Sequence, residues 1–274
     1  MSNFFSIFDL PFMMRALLAG CLVALLTSQL GVLVISRKLA FLGDTLSHAA
    51  FTGIAIGIAL GINLNLTVFL LAVIIAFVLT WLQDKSSLSS DTYIALLYSS
   101  LLAFGIVIVS HSQGLRAELF QYLFGDILAV SFTDIIIMAS VVIISILLLI
   151  ICYRPLLMIT IDQDLAHSQG VKVKIYNYLF TLLLALATAI TIKLIGVLLL
   201  SALLIIPAAI ALTIARSLKQ TLILSLLSAE LMAIIGIFVS YLYDLPTGPT
   251  IILIGTGFFV LINVLKRLSW KTGQ

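Results

Sequence analysis

The sequence predicts an all-α fold: a polytopic transmembrane helical bundle of about eight or nine spans. Three observations carry this. The 274-residue chain is 63% hydrophobic and only 9% charged, with a mean hydropathy of +1.31, which lies outside the range of water-soluble globular domains. Its apolar residues fall in runs of about 20, the length that crosses a bilayer as a helix. Its basic residues sort to one side of those runs. Residues 1–274 therefore read as one transmembrane domain set in lipid. The net charge of +3 has a topological explanation and calls for no nucleic-acid partner.

In chain order, residues 1–11 form a short amphipathic lead without the cleavage pattern of a signal peptide. The first span runs from about Met13 to Ser36 and stops at Arg37-Lys38. The second, Phe41 to Gly61, ends before the polar turn Asn63-Leu64-Asn65. The third covers about Leu66 to Leu82 and leads into a polar loop from Gln83 to Asp91, where Ser90 or Asp91 can cap the next helix. The fourth spans about Thr92 to Ser110. His111 to Ser131 is less apolar and reads as an interfacial or re-entrant segment.

The fifth span runs from about Phe132 to Tyr153 and is expected to stop at Arg154-Pro155. The longest clearly polar insertion follows, Ile161 to Lys174. Ile175–Ile192 and Leu194–Ala215 are two further spans, with Lys193 as a candidate turn. These two are either full crossings or include a broken one. The eighth ends near Tyr243. The breaker-rich turn DLPTGP then leads to a last span over about Thr250–Leu265.

With the loop after the first span in the cytoplasm, eleven of the fourteen Lys and Arg residues fall inside, leaving only Arg15, Arg116 and Lys193 outside. The N-terminus is thus expected outside and the C-terminus inside.

The second span carries the chemistry. Asp44, His48 and Thr52 recur every four residues, with Ser47 beside them, and so form a polar stripe on one helical face. An ionised Asp near a bilayer centre costs roughly 2.5–3.5 kcal/mol on insertion scales, which makes such a residue a functional candidate. Carboxylate oxygen with imidazole nitrogen suits a first-row divalent metal. The plain alternative is hydrogen bonding to neighbouring helices. Ala49, Gly53, Gly57 and Gly61 form a ridge of small residues that admits a close helix neighbour.

Cys21 and Cys152 lie far apart in apolar runs and form no CxxC pair. There is no GxxxxGK[ST] phosphate loop, so ATP is not bound by that route, and no HExxH or GxSxG supports an enzyme. His167 reads as a solvated or docking residue and His111 as interfacial. Glu230 could face the pathway or bond another helix. Glu118 and Asp126 lie in the outer segment, where they could meet a partner.

Four segments together resemble the membrane permeases of zinc/manganese/iron ABC importers: FLGDTLSHAAFTGIAIG (Phe41–Gly57), YLFGDILAVS (Tyr122–Ser131), IGVLLLSALLIIPAAIA (Ile195–Ala211) and DLPTGPTI (Asp244–Ile251). The resemblance implies a dimeric permease that pairs with a second copy of itself, with cytoplasmic ATP-binding subunits and with an extracytoplasmic metal-binding protein. ATP is then hydrolysed on the partner chain, and no cofactor is held permanently. It also implies that Asp44 and His48 lie in the metal pathway. DQDLAHSQG, Asp162 to Gly170, resembles the coupling helix that docks on the ATPase. Asp162 is placed to cap that helix through the amide of Asp164 or Leu165. Gly170 is placed to end it in the left-handed conformation, and the small Ala166 is expected to let the partner surface approach. GDTLSH resembles the zinc-type members, with manganese or iron as alternatives. A secondary metal transporter or channel, or an ABC permease for a siderophore or cobalamin, would lack one part of this set: the docking segment in the first case, the Asp-His pair in the second.

Overall fold

The computed structural model describes residues 10–85, 89–110, 125 and 127–272. Among them, nine helical segments are long and apolar enough to cross a membrane. The helices are α1 (Pro11–Ser36), α2 (Ala40–Leu60), α3 (Leu64–Lys85), α4 (Ser90–Ser110), α5 (Phe132–Ile161), α6 (Gln163–Ser168), α7 (Val173–Ile214), α8 (Leu218–Tyr243) and α9 (Thr247–Thr272), with a short 3-10 turn at Ile127–Ala129.

α7 has 42 residues, about 63 Å if straight, twice the apolar thickness of a bilayer. It does not run straight. Gly196 has φ 78° and ψ 168°, outside helical space, and divides α7 into two arms. The contacts give their directions. Asn177 bonds Arg37 just past the end of α1. Ala189 and Leu194 lie beside Asn63 and Asn65, at the opposite end of the bundle. Leu204 then packs on Gly31 and Gly43, back toward the first end, and the Thr213 carbonyl accepts from Lys266. The two arms are therefore two crossings joined at a single glycine, three residues beyond the turn expected at Lys193.

α1, α2 and the second arm of α7 are the inner elements, whereas α4 and α9 are peripheral. Ala16, Ala19, Val23 and Leu30 of α1 are completely buried. Glycines set the closest approaches. A Cβ on Gly31 would sit 2.0 Å from the Leu204 carbonyl oxygen. One on Gly53 would sit 2.8 Å from the Val68 Cα of α3, and one on Gly57 would meet the Thr67 and Leu64 side chains. The small-residue ridge of α2 is thus the α3 contact. Gly61 does not share in it: nothing lies within 4 Å, and its φ of 65° makes it the left-handed cap of α2.

Some boundaries differ from expectation. α5 continues through Pro155 to Ile161. Proline removes one hydrogen bond there, but buried Cys152, Leu156 and Ile159 hold the helix on both sides of the gap. α9 runs on to Thr272 because Lys and Arg are good helix formers and suit a helix C-terminus. The cap of α4 lies one residue early, at Ser89, whose hydroxyl pairs with that of Thr92 at 2.8 Å.

These contacts predict a ranking. Gly31→Ala and Gly53→Ala press a methyl against backbone and should each destabilise by about 1–3 kcal/mol. Gly57→Ala meets the Thr67 and Leu64 side chains at close range and backbone only at ordinary contact distance, and should cost less. Thermal unfolding midpoints of the detergent-solubilised protein check the order, and equal midpoints for all three would contradict it.

Candidate functional site

α2 presents three different faces. Thr45 and Thr52, seven residues apart, point at α4: the Thr45 hydroxyl donates to the carbonyls of Phe41 (3.0 Å) and Ile94 (3.3 Å), and the Thr52 hydroxyl donates to Leu101 at 2.7 Å. Ala49, Gly53 and Gly57 are buried, the two glycines closely against α3. Asp44 and His48 remain half-buried on the part of the helix that neither neighbour covers fully.

Thr52 therefore leaves the predicted polar stripe. Each step of four residues turns a helix by about 40°, so Thr52 stands some 80° round from Asp44 and is taken up by α4. The stripe reduces to Asp44 and His48.

The His48 ring meets the edge of Tyr98 on α4, with centroids 4.5 Å apart and planes at 85°. This contact orients the imidazole. Nδ1 of His48 is buried and has no hydrogen-bond partner, as is also true of the neighbouring Ser47 Oγ. Asp44, one turn earlier, makes no hydrogen bond to another described residue and acts on His48 electrostatically. A buried, orphaned imidazole nitrogen beside a free carboxylate has the chemistry of a half-built ligand set. Among the described residues no group of three or more His, Cys, Asp or Glu is placed to hold a metal ion. Sequence reading missed Tyr98. Its signal was the face Ile94, Tyr98, Leu101 and Gly105, at helical spacing, which lies against α2.

At the opposite end from Asn63, Asp162 caps α6: its carboxylate accepts from the amides of Asp164 and Leu165, both at 2.9 Å. Gly170 closes the segment with φ 82°. Asp164, His167 and Gly170 are exposed, as is Leu165. Ala166 behaves differently from expectation. It is completely buried against Ile159 and Val173, so its small size seats α6 on its own legs, and the outer surface belongs to Leu165 and its neighbours.

The Glu230 carboxyl lies against the Cys21 thiol of α1, across the α1–α8 contact. His111, Glu118, Asp126 and residues 122–124 lie outside the described residues, as does the side chain of Lys193.

A helical bundle with nine candidate crossings among the described residues, an Asp-His pair on an inner helix and a capped two-turn element between two crossings has the architecture of a membrane transport subunit. The chain belongs to the ABC 3 transport family, whose profile matches residues 9–266. It is 37% identical over 252 residues to the high-affinity zinc uptake system membrane protein ZnuB of Haemophilus influenzae, covering 92% of this chain and 96% of that protein. It is 32% identical to the manganese transport system membrane protein MntC of Halalkalibacterium halodurans, covering 95% and 91%. The structure of PsaBC from Streptococcus pneumoniae in complex with Fab superposes with a TM-score of 0.82 at 32% identity, covering 93% of this chain and 92% of that one. The chain is a multi-pass ABC permease and not an enzyme, as its relatives are permeases.

Thr52→Val should weaken the α2–α4 contact by about 0.6–1.7 kcal/mol, the range for interhelical hydrogen bonds in membranes. Asp44→Asn, which breaks no internal bond, should leave the unfolding midpoint unchanged. The reverse pattern would show that Asp44 is a packing residue.

Proposed function

We propose that this permease carries a divalent metal ion through the membrane and that Asp44 and His48 are its pathway ligands. The observation that carries this is the buried, unpartnered Nδ1 of His48 one turn from Asp44. A second copy of the chain would bring a second Asp-His pair, giving two oxygens and two nitrogens. Zinc accepts that set in tetrahedral form. The 37% identity to a zinc permease, against 30–33% to manganese permeases, favours zinc. Manganese is the second reading, supported by those same relatives, and iron(II) accepts the same donors. A two-ligand contribution per chain also suits a pathway, since transit needs a site weak enough to release its ion.

ATP is hydrolysed on cytoplasmic partner subunits, and an extracytoplasmic metal-binding protein delivers the ion. α6 is the docking element for the ATPase, and the end of the bundle that carries it faces the cytoplasm. Arg37, Lys85, Lys172, Lys174, Arg216 and Lys266 gather at that end, in keeping with the positive-inside rule.

Two experiments test this in proteoliposomes holding the complete importer. Asp44→Ala and His48→Ala should each lower zinc uptake at least about tenfold at normal membrane expression. Normal uptake by both would end the ligand assignment, and greater manganese than zinc uptake by the unaltered protein would replace the metal. For docking, Leu165→Asp should lower co-purification with the ATPase subunit because it puts a charge on the exposed apolar surface of α6. Ala166→Trp should unseat α6 and lower the yield of folded protein, unlike a change on an open surface. Undiminished co-purification of Leu165→Asp would remove α6 from the interface.

A further inference from the structure

α1 ends at Ser36 and α2 begins at Ala40, so the corner between them has three residues. Lys38 takes φ 58° there and Leu39 is buried. Its first residue, Arg37, turns inward. Nε donates to Thr160 Oγ1 at 3.0 Å, Nη1 to Asn177 Oδ1 at 3.2 Å and Nη2 to the Leu156 carbonyl at 3.0 Å. The guanidinium carbon lies 4.6 Å from the centre of the buried Phe180 ring.

Those acceptors are not scattered. Leu156 and Thr160 belong to the last turns of α5, which lead into α6. Asn177 and Phe180 belong to the first turns of α7, which lead out of it. One guanidinium therefore holds both legs of α6. The legs are also joined to α6 itself through Ala166, packed between Ile159 and Val173. On its other side Arg37 is fixed to a tight corner, seven residues before Asp44 on an uninterrupted stretch of chain.

The grip is made with neutral partners. Among the described residues no carboxylate pairs with Arg37, and burial pulls its guanidinium down to about 10, which leaves it charged at neutral pH. Hydrogen bonds to a hydroxyl, an amide and a carbonyl can exchange without separating an ion pair. A cavity of about 320 Å³ beside the guanidinium, lined by Lys38, Gln83, Gln163 and Thr181 among others, leaves it room to shift. A second tether, Lys174 to Asp84 at 3.0 Å, runs from α7 to α3, but Lys174 is 62% exposed, and exposed pairs hold weakly.

We infer that Arg37 is the positioning residue that transmits movement of α6 to α2, and so links the docking element to the Asp44–His48 site. This rests on the reading of α6 as the ATPase contact. Arg37 touches neither the ion nor the partner; it acts through the two helices it joins.

The test uses the assembled importer in proteoliposomes and reads two quantities: ATPase subunit bound, and zinc ions moved per ATP hydrolysed. Arg37→Gln should bind the subunit and hydrolyse ATP normally, while ions per ATP fall at least about fivefold, the low end of site-to-site coupling. Arg37→Lys, which keeps the charge but not the three-way grip, should fall between the two. An unchanged ratio in Arg37→Gln overturns the inference. So does loss of subunit binding together with transport, which would make Arg37 a holder of the docking surface. If Arg37→Gln does not reach the membrane, Thr160→Val and Asn177→Leu remove one acceptor each, and an unchanged ratio in both overturns it equally. Failure of the α6 reading shows separately, as intact subunit binding in Leu165→Asp.

Discussion

Every polar group that enters the apolar layer must find a partner within the protein, because lipid offers none. The chain meets this condition with economy. Four fully buried threonine hydroxyls return to their own helix, Thr27 to Val23, Thr80 to Ala76, Thr188 to Leu184 and Thr191 to Ala187, at 2.6–2.9 Å, and fully buried Thr52 and Ser225 reach carbonyls of neighbouring helices. The non-helical residue Gly196 is packed against other backbone. The backbone of Gly125 is laid against it so closely that a Cβ on Gly125 would stand 2.2 Å from the Ile195 carbonyl carbon. Irregular backbone at the join of the two arms is thus covered by other backbone. Against this background, Ser47 Oγ, His48 Nδ1 and Ser201 Oγ stand out among the described residues as buried atoms without partners. Two of these belong to adjacent residues on α2.

α2 can carry such groups because its remaining surface is committed. Its glycine ridge accepts the backbone of α3, and its two threonines reach carbonyls of α4, which Gly105 lets come near: a Cβ there would stand 3.2 Å from Thr52 Oγ1. These contacts fix the rotation of α2 about its axis. Once that angle is set, Asp44 and His48 are held on the remaining arc, and Tyr98 fixes the imidazole plane. Asp44 and His48 are therefore placed by the contacts of the helix that carries them, and His48 also by Tyr98, the kind of support under which the proposed metal site would keep its shape.

Much of this was legible in the sequence. The apolar run lengths gave the crossings. The four-residue spacing placed Asp44 beside His48. Asp162 and Gly170 announced the start and the end of a short helix. What escaped has physical reasons. Pro155 looked like a terminus because its local effect is to break a helix, and the packing that overrides it is long-range. Gly196 is one of many glycines in apolar runs, and only the geometric need to reverse a 42-residue helix singles it out. Thr52 shares the spacing of Asp44 and His48, but a strict four-residue repeat drifts round a helix of 3.6 residues per turn. Ala166 was read by its size, and size does not say whether a small side chain faces inward or out. Arg37 looked like a topology signal. Nothing in the sequence pairs it with Thr160 and Asn177, which are more than a hundred residues away.

The two polar features at opposite functional levels, the site on α2 and the capped element α6, share one mechanical element. α2 contains no proline, its glycines at 43 and 53 are pressed against neighbours, and its only left-handed residue is the cap beyond its far end. A helix packed in this way moves as a rod. Its α6 end is held by the Arg37 corner. His48 lies eight residues beyond Ala40, where α2 begins after the Arg37 corner, about 12 Å along the axis at 1.5 Å per residue. A small shift at the corner therefore reaches His48 without local deformation between them. The bonds that would have to give way lie on α4, the peripheral partner, where Thr45 and Thr52 each hold a single carbonyl across the interface. The glycine contact with α3 has no slack. If α2 moves as inferred above, its glycine contacts with α3 at Gly53 and with Leu204 of α7 at Gly43 limit the directions open to it, and Asp44 and His48 would travel with the helix.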